Sequence, residues 1–247
     1  MTNDTQILTG KTEKLAITSR FLGETRQVKI YLPHTYSPLY SYPVLYANDG
    51  SDYMSLGRML TLLNKRFTPQ KATPFLVVFV PVDKNIRTEE YSPTGERNEA
   101  YIRFFAEELV PMIDEKYSTI PLASARGIIG SSLGATAALH TYLQYPRMFQ
   151  ILLLQSGAFL ESSLQAVRNR ESHHGLHCHQ MVGLKETAFQ MSNGTILNFV
   201  DANRKMKDLL QSKGAQVEYS EYDGDHTWGT WQQDLPHALD YFCKHSS

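Results

Sequence analysis

Hydrophobic and polar positions alternate with a period of two over "KLAITSRFL" (14–22) and "RQVKIYLP" (26–33), with the turn-like "GET" between them. That alternation predicts two half-exposed antiparallel strands. The pattern then changes. "YPVLYAND" (42–49), "PFLVVFVPV" (74–82), "GIIGS" (127–131), "FQILLLQSG" (149–157) and "HCHQMVG" (177–183) are short and mostly apolar, as strands covered on both faces are. "QVEYSEYDG" (216–224) alternates again and predicts an edge strand. Helical spacing fills the intervals at 52–66, 98–116, 132–144, about 195–214 and 228–244. Strands alternating with helices predict an α/β fold: a mainly parallel, doubly wound sheet of about eight strands with right-handed crossovers and antiparallel N-terminal strands. No repeat or low-complexity linker interrupts the chain, so residues 1–247 are expected to form a single domain.

One junction in this pattern carries chemistry. "ARGIIG" is apolar and β-branched, and "GSSLGATAALH" (130–140) turns it into a buried helix. Ser132 therefore sits at a strand-to-helix reversal, in the pattern Gly-x-Ser-x-Gly. A reversal this sharp presses Gly130 and Gly134 against each other and against neighbouring strands, where a Cβ would clash. It leaves a serine hydroxyl exposed at a helix N-terminus, where free N–H groups and the helix dipole favour negative charge.

Two antiparallel strands leading into a doubly wound sheet match the layout of an α/β-hydrolase. In such sheets ligands sit beyond the carboxyl ends of the strands. Five ends are chemically loaded: "LYAND" at Asn48-Asp49-Gly50, "VVFVPV" before "DKNIRTEEYSPTGERN", "GIIG" before Ser132, "MVG" before "LKET", and "EYDG" before "DHTW". A serine needs a base, and His226, just past the last strand, stands where this fold places it. His34, His140, His237 and His245 fall in an early loop or on helices, as packed or solvated residues do. The base needs an acid; in this fold it lies between Ser and His and follows the strand before the last, which points to Glu186, three residues beyond Gly183, with Asp201 on a helix surface as the alternative. The N–H of Leu133 and that of Ser51, beside Gly50, are the expected oxyanion donors.

Composition narrows the classes. Hydrophobic residues make up 42% and charged residues 20%, an ordinary globular mixture. The net charge of −1 offers no footprint for nucleic acid or an acidic membrane. Two cysteines, Cys178 and Cys243, form no disulfide framework and suit a reducing compartment. The polar N-terminus has no apolar signal core, and no apolar run approaches about 20 residues, so a cytoplasmic protein off the membrane is expected. "HHGLHCHQ" (173–180) gathers His173, His174, His177, Cys178 and His179. On a strand, however, Cys178 faces away from His177 and His179, and no carboxylate lies in the cluster, so no metal and no cofactor are expected.

With these residues in place the sequence resembles the esterase D and enterochelin esterase-like branch of the α/β-hydrolases, over nearly the whole chain. The resemblance is carried by "VKIYLPHTYSPLYSYPVLYANDG", "RTEEYSP", "FFAEELVPMIDEKY", "GSSLGA", "QSGAF" and "DGDHTWGTWQQDL". It implies serine carboxylesterase chemistry on Ser132 and His226, with Glu186 on the matching Gly-x-x-acid element from Gly183. Some siderophore-cleaving members of that branch work with a dyad, so the acid is the element it implies least strongly. The branch also holds feruloyl and acetyl-xylan esterases, S-formylglutathione hydrolases and mycolyltransferases. The "RTEEYSP" loop and "GDHTWGTW" ending resemble the siderophore-esterase group most. Arg87 and Tyr91 on that loop, and Trp228 after the histidine, are then expected to bind an anionic or catecholate-rich small-molecule ester such as an enterochelin-like trilactone. A general carboxylesterase, an acyltransferase and an inactive relative are the alternatives.

Overall fold

The computed structural model describes residues 8–68, 73–190, 194 and 196–246. The alternating N-terminal segments pair as antiparallel strands β1 (Lys11–Ser19) and β2 (Glu24–Leu32), with Leu15 opposite Val28. β2 runs antiparallel to β4 (Leu76–Phe79), and every later pairing in this sheet is parallel. The sheet has eight strands in the order β1-β2-β4-β3-β5-β6-β7-β10, where β3 is Val44–Ala47, β5 Arg126–Ser131, β6 Ile151–Gln155, β7 His177–Gly183 and β10 Gln216–Tyr222. β3, β4, β5 and β6 are buried at every position, which is why they read as unbroken apolar runs. β10, at the edge, keeps its alternation.

Consecutive strand residues point to opposite faces, so each strand feeds two cores. Leu45, Val77, Ile129 and Leu153 pack with Tyr53, Met59, Leu235 and Phe242, from helices α1 (Gly50–Ser55), α2 (Met59–Phe67) and α9 (Trp228–His245). Tyr46, Val78, Ile128 and Leu152 pack on the other face. Their partners include Tyr91 of α3 (Arg87–Tyr91), Tyr101 of α4 (Asn98–Arg103), Ile113 of α5 (Val110–Lys116), Leu139 of α6 (Leu133–Gln144), Val167 of α7 (Glu161–Arg168) and Met206 of α8 (Phe199–Ser212). The doubly wound α/β sheet expected from the pattern is thus the observed one.

Several elements depart from the pattern for local reasons. The helix expected over 52–66 breaks at Gly57 and Arg58, where Arg58 adopts a left-handed φ of 50° and a Cβ on Gly57 would meet Tyr53 O at 2.7 Å. The helix over 98–116 is continuous, but Phe104–Leu109 forms a π-helical stretch before Pro111, which has no N–H for the α-helical ladder. The helix expected from about 195 begins at Phe199, capped by the Asn198 side chain, which accepts from the Asp201 N–H at 3.0 Å. Residues ahead of it form a small hairpin instead, β8 (Phe189–Gln190) with β9 (Ile196–Leu197). α3 falls in the segment expected as a loop, and α7 in one for which the pattern predicts no element; both are short and polar, with only a few positions facing in. Among the described residues no helix is long and apolar enough to cross a membrane.

His140 joins two of these helices, with its Nε2 and Ser163 Oγ at 3.0 Å between α6 and α7. Burial pushes its pKa down to about 4. In the unfolded chain a histidine titrates near ~6.5, so on acidification only the unfolded chain takes up this proton. His140 therefore supports full stability above about pH 6.5 and withdraws it as pH falls towards about 4. Guanidinium chloride unfolding is expected to lose stability between about pH 7 and pH 4.5, by a wider margin than in His140→Gln. An identical loss in the variant would assign the acid sensitivity to other groups.

Candidate active site

Adjacent parallel strands end at one edge of the sheet, and the residues singled out above meet there. β5 leads directly into Ser132, held at φ 54° and ψ −125°. Its N–H donates to Gln155 O at 2.9 Å, and its carbonyl accepts from Ala135 and Ala158. The glycines around it are sterically required: a Cβ on Gly130 would lie 2.2 Å from Gly134 O, and one on Gly134 would lie 2.8 Å from Asp49 Oδ2. Ser131, the other serine of the motif, is 2% exposed within β5.

His226 and Glu186 come from the loops after β10 and β7, which are neighbours in the sheet. Backbone bonds lace the two loops together: Leu184 N–H to Tyr222 O at 2.8 Å and Lys185 N–H to Gly224 O at 2.9 Å. His226 Nε2 lies 2.9 Å from Ser132 Oγ, and its Nδ1 lies 2.5 Å from Glu186 Oε2. Glu186 is 2% exposed, and its other oxygen accepts from the Gly183 N–H and the Ser156 hydroxyl, each at 2.7 Å. The imidazole is walled by aromatic rings, with centroids at 4.2 Å for Phe199, 4.4 Å for Phe189 and 5.1 Å for Trp231. The alternative acid, Asp201, is exposed on α8 and bonded to Asn198, away from the imidazole.

Ser51 and Leu133 follow the ends of β3 and β5, which are neighbours in the sheet. Both lie in the first turn of a helix, where an N–H has no intrahelical acceptor, and among the described residues neither donates to a protein group. Asn48 ties the two loops by donating from Nδ2 to Gly134 O at 2.9 Å.

The expected substrate-binding side chains stand differently. Tyr91 is fully buried, its hydroxyl accepting from the Asp49 N–H at 3.0 Å and its ring packed on Tyr101; it has no surface to offer a substrate. Arg87 is committed to Asp49, with Nε to Oδ1 and Nη2 to Oδ2 both at 2.7 Å. Glu90 of the same segment is buried against Arg26, which donates from Nη2 to Oε1 at 2.7 Å and from Nη1 to Oε2 at 3.1 Å. Within "RTEEYSP", Arg87–Tyr91 is therefore a helical strut whose Arg87, Glu90 and Tyr91 side chains are taken up by protein partners, while Thr88 and Glu89 face solvent. Trp228 is half-buried, edge-on to Tyr53 at 5.0 Å, while Trp231 is the buried member of the pair.

The histidines of 173–180 disperse. His173 bonds the Tyr142 hydroxyl at 3.0 Å, His179 bonds Asp234 at 2.7 Å, and His177 stacks on His245. Among the described residues no group of three His, Cys, Asp or Glu side chains is placed to hold a metal ion. Asp49 and Ser156 are residues around the site to which the motif reading gave no role, although the segments that hold them were singled out. Both follow parallel strands, and that position was their only signal, because neither side chain advertises chemistry by itself.

Residues 19–242 match the family described as putative esterase. The uncharacterized protein YjcH of Bacillus subtilis (strain 168) is 37% identical over 231 residues, covering 93% of this chain and 96% of that protein. A solved ferulic acid esterase aligns with a TM-score of 0.80 at 18% identity, covering 97% of this chain and 99% of the other. The enterobactin esterase FES of Shigella flexneri aligns with a TM-score of 0.78 at 20% identity, over 95% of this chain and 59% of that one. The two solved structures share the α/β-hydrolase fold with this protein, and the family match covers nearly all of its length. The chain belongs to the putative esterase family, and it is a carboxylic ester hydrolase.

Proposed function

We propose that this protein is a serine carboxylesterase in which Ser132 is the nucleophile, His226 the base and Glu186 the acid, working through an acyl-enzyme. One observation carries the reading: the unbroken line from Ser132 Oγ through both imidazole nitrogens to a buried carboxylate. The Ser132 proton passes to Nε2 as Oγ attacks the ester carbonyl. The developing oxyanion is held by the N–H groups of Ser51 and Leu133. The tetrahedral species collapses, the imidazolium gives its proton to the departing alcohol, and the acyl group stays on Ser132. Water then repeats the sequence with the same base and releases the acid. Glu186 holds the ring by Nδ1 and stabilises its charged form.

The substrate reading follows from what borders the imidazole. Phe189 and Phe199 flank it, and Phe189 and Ile196 on the hairpin remain 37% and 70% exposed. An apolar rim of this kind suits a neutral ester with an aromatic or aliphatic group. A catecholate trilactone would draw on a free cation, and the one expected, Arg87, is neutralised by Asp49. We therefore favour neutral esters over an anionic siderophore. Arg87 instead supports the oxyanion loop: Asp49 has a left-handed φ of 52° one residue before Gly50, and its side chain is gripped by Arg87 and by Lys84 at 3.1 Å.

A fluorophosphonate is expected to label Ser132 and spare Ser131, and Ser132→Ala to lower kcat by about 10⁴-fold or more. Label found on Ser131 in a peptide digest would overturn the assignment. Glu186→Gln is expected to lower kcat by about 10²–10⁴-fold with KM little changed. Turnover near the wild-type rate would mean a Ser132–His226 dyad suffices. Arg87→Ala is expected to lower kcat/KM by about 10–100-fold on p-nitrophenyl acetate and on an anionic catecholate triester alike, because the loop and not the ligand loses its support. A loss confined to the anionic substrate would restore Arg87 as a substrate ligand.

A further inference from the structure

Ser156 directly follows β6, with a left-handed φ of 46° and no exposed surface. Its Oγ lies 2.7 Å from Glu186 Oε1 and 3.0 Å from the indole nitrogen of Trp231, itself 6% exposed. An indole N–H can only donate, so Ser156 Oγ accepts from Trp231. The single hydroxyl hydrogen is left for the carboxylate; the other acceptor in reach, Met181 Sδ, is a weak one at 3.8 Å. Gly183 N–H takes the remaining place on Oε1. Oε2 is then free to face Nδ1 of His226, and because a carboxylate only accepts, Nδ1 carries the hydrogen and the Nε2 lone pair faces Ser132. The indole N–H thus fixes the direction of the Ser156 hydroxyl, and the acceptor-only carboxylate fixes that of the imidazole.

We propose that Ser156 and Trp231 are positioning residues for Glu186, the two outer members of a five-residue hydrogen-bonded line, Trp231–Ser156–Glu186–His226–Ser132. The proposal rests on the reading of the last three as the catalytic triad. Trp231 acts twice. Its N–H orders the Ser156 hydroxyl, and its ring stands edge-on to the imidazole at an interplanar angle of 86°. It does so from the first turn of α9, the helix that the His226 loop enters, where its backbone N–H bonds Thr227 O. The backbone strain at Ser156 fits this role, since a left-handed non-glycine residue is retained where its side chain is needed.

The test is a kinetic cycle on p-nitrophenyl acetate with Ser156→Gly, Trp231→Phe and Glu186→Gln, singly and combined. Glycine relaxes the left-handed backbone, so Ser156→Gly is expected to melt no lower than wild type while losing the hydroxyl. Trp231→Phe keeps a ring and loses the N–H. In the wild-type background Ser156→Gly is expected to lower kcat by about 10–100-fold and Trp231→Phe by about 3–10-fold, both with KM unchanged. In the Glu186→Gln background each effect is expected to shrink to less than about threefold, because residues acting through one group are non-additive. Wild-type kcat in Ser156→Gly, or equal fold losses in both backgrounds, would overturn the positioning role while leaving the triad standing. Wild-type kcat in Glu186→Gln itself would overturn the triad reading, and this inference with it.

Discussion

A carboxylate taken out of water must have its lone pairs answered by donors, and the buried charge of Glu186 is the constraint around which this site is arranged. Its donors come from three strand ends: Gly183 from β7, Ser156 from β6 and His226 from the loop after β10. These strands are neighbours in the order β6-β7-β10, so a parallel sheet brings their carboxyl ends into hydrogen-bonding reach without long loops. The lacing of the 183–186 and 222–226 segments by backbone bonds keeps them there. Removing any donor leaves charge buried and underpaired, which ties the local stability of this edge to the geometry of the site.

Strain is concentrated at the same edge. Among the described residues four non-glycine side chains have a left-handed φ, and three of them, Asp49, Ser132 and Ser156, follow β3, β5 and β6 directly or within two residues. Each such conformation costs on the order of 1–3 kcal/mol and persists only where the surroundings over-determine it. Here the surroundings are specific. Arg87 and Lys84 hold the Asp49 side chain, the Gly130–Gly134 contact closes the turn at Ser132, and Trp231 and Glu186 fix the Ser156 hydroxyl.

The strut formed by α3 links this edge to the antiparallel half of the sheet. Arg26 on β2 grips Glu90, and Arg87, one turn earlier on α3, grips Asp49 beyond β3. Burial pulls the guanidinium pKa down; the paired carboxylates outweigh it and hold that of both Arg26 and Arg87 above its ordinary value. Two-pronged pairing is what makes arginine fit here, since lysine offers charge without the planar fork. Charge that reads along the chain as a substrate-binding loop is consumed in holding the fold.

The strands and most helices were legible in the chain because period-two alternation, apolar runs and helical spacing are written locally. So was the turn at Ser132, where steric need dictates two glycines at fixed spacing. Glu186 and His226 were readable as candidates through topology, since strand ends of a parallel sheet converge and Glu186 follows a strand end where Asp201 lies on a helix. Partner choice was not. Asp49 lies 38 residues from Arg87, and Glu90 lies 64 from Arg26, so nothing local distinguishes a buried ion pair from exposed charge. Trp228 and Trp231 look alike in sequence, and only the tertiary structure sets the indole N–H of Trp231 against Ser156. The sequence by itself determined which side chains reach one edge of the sheet; the tertiary structure decided which of them pair with one another, because a hydrogen bond depends on distances of a few tenths of an ångström that no spacing along a chain encodes.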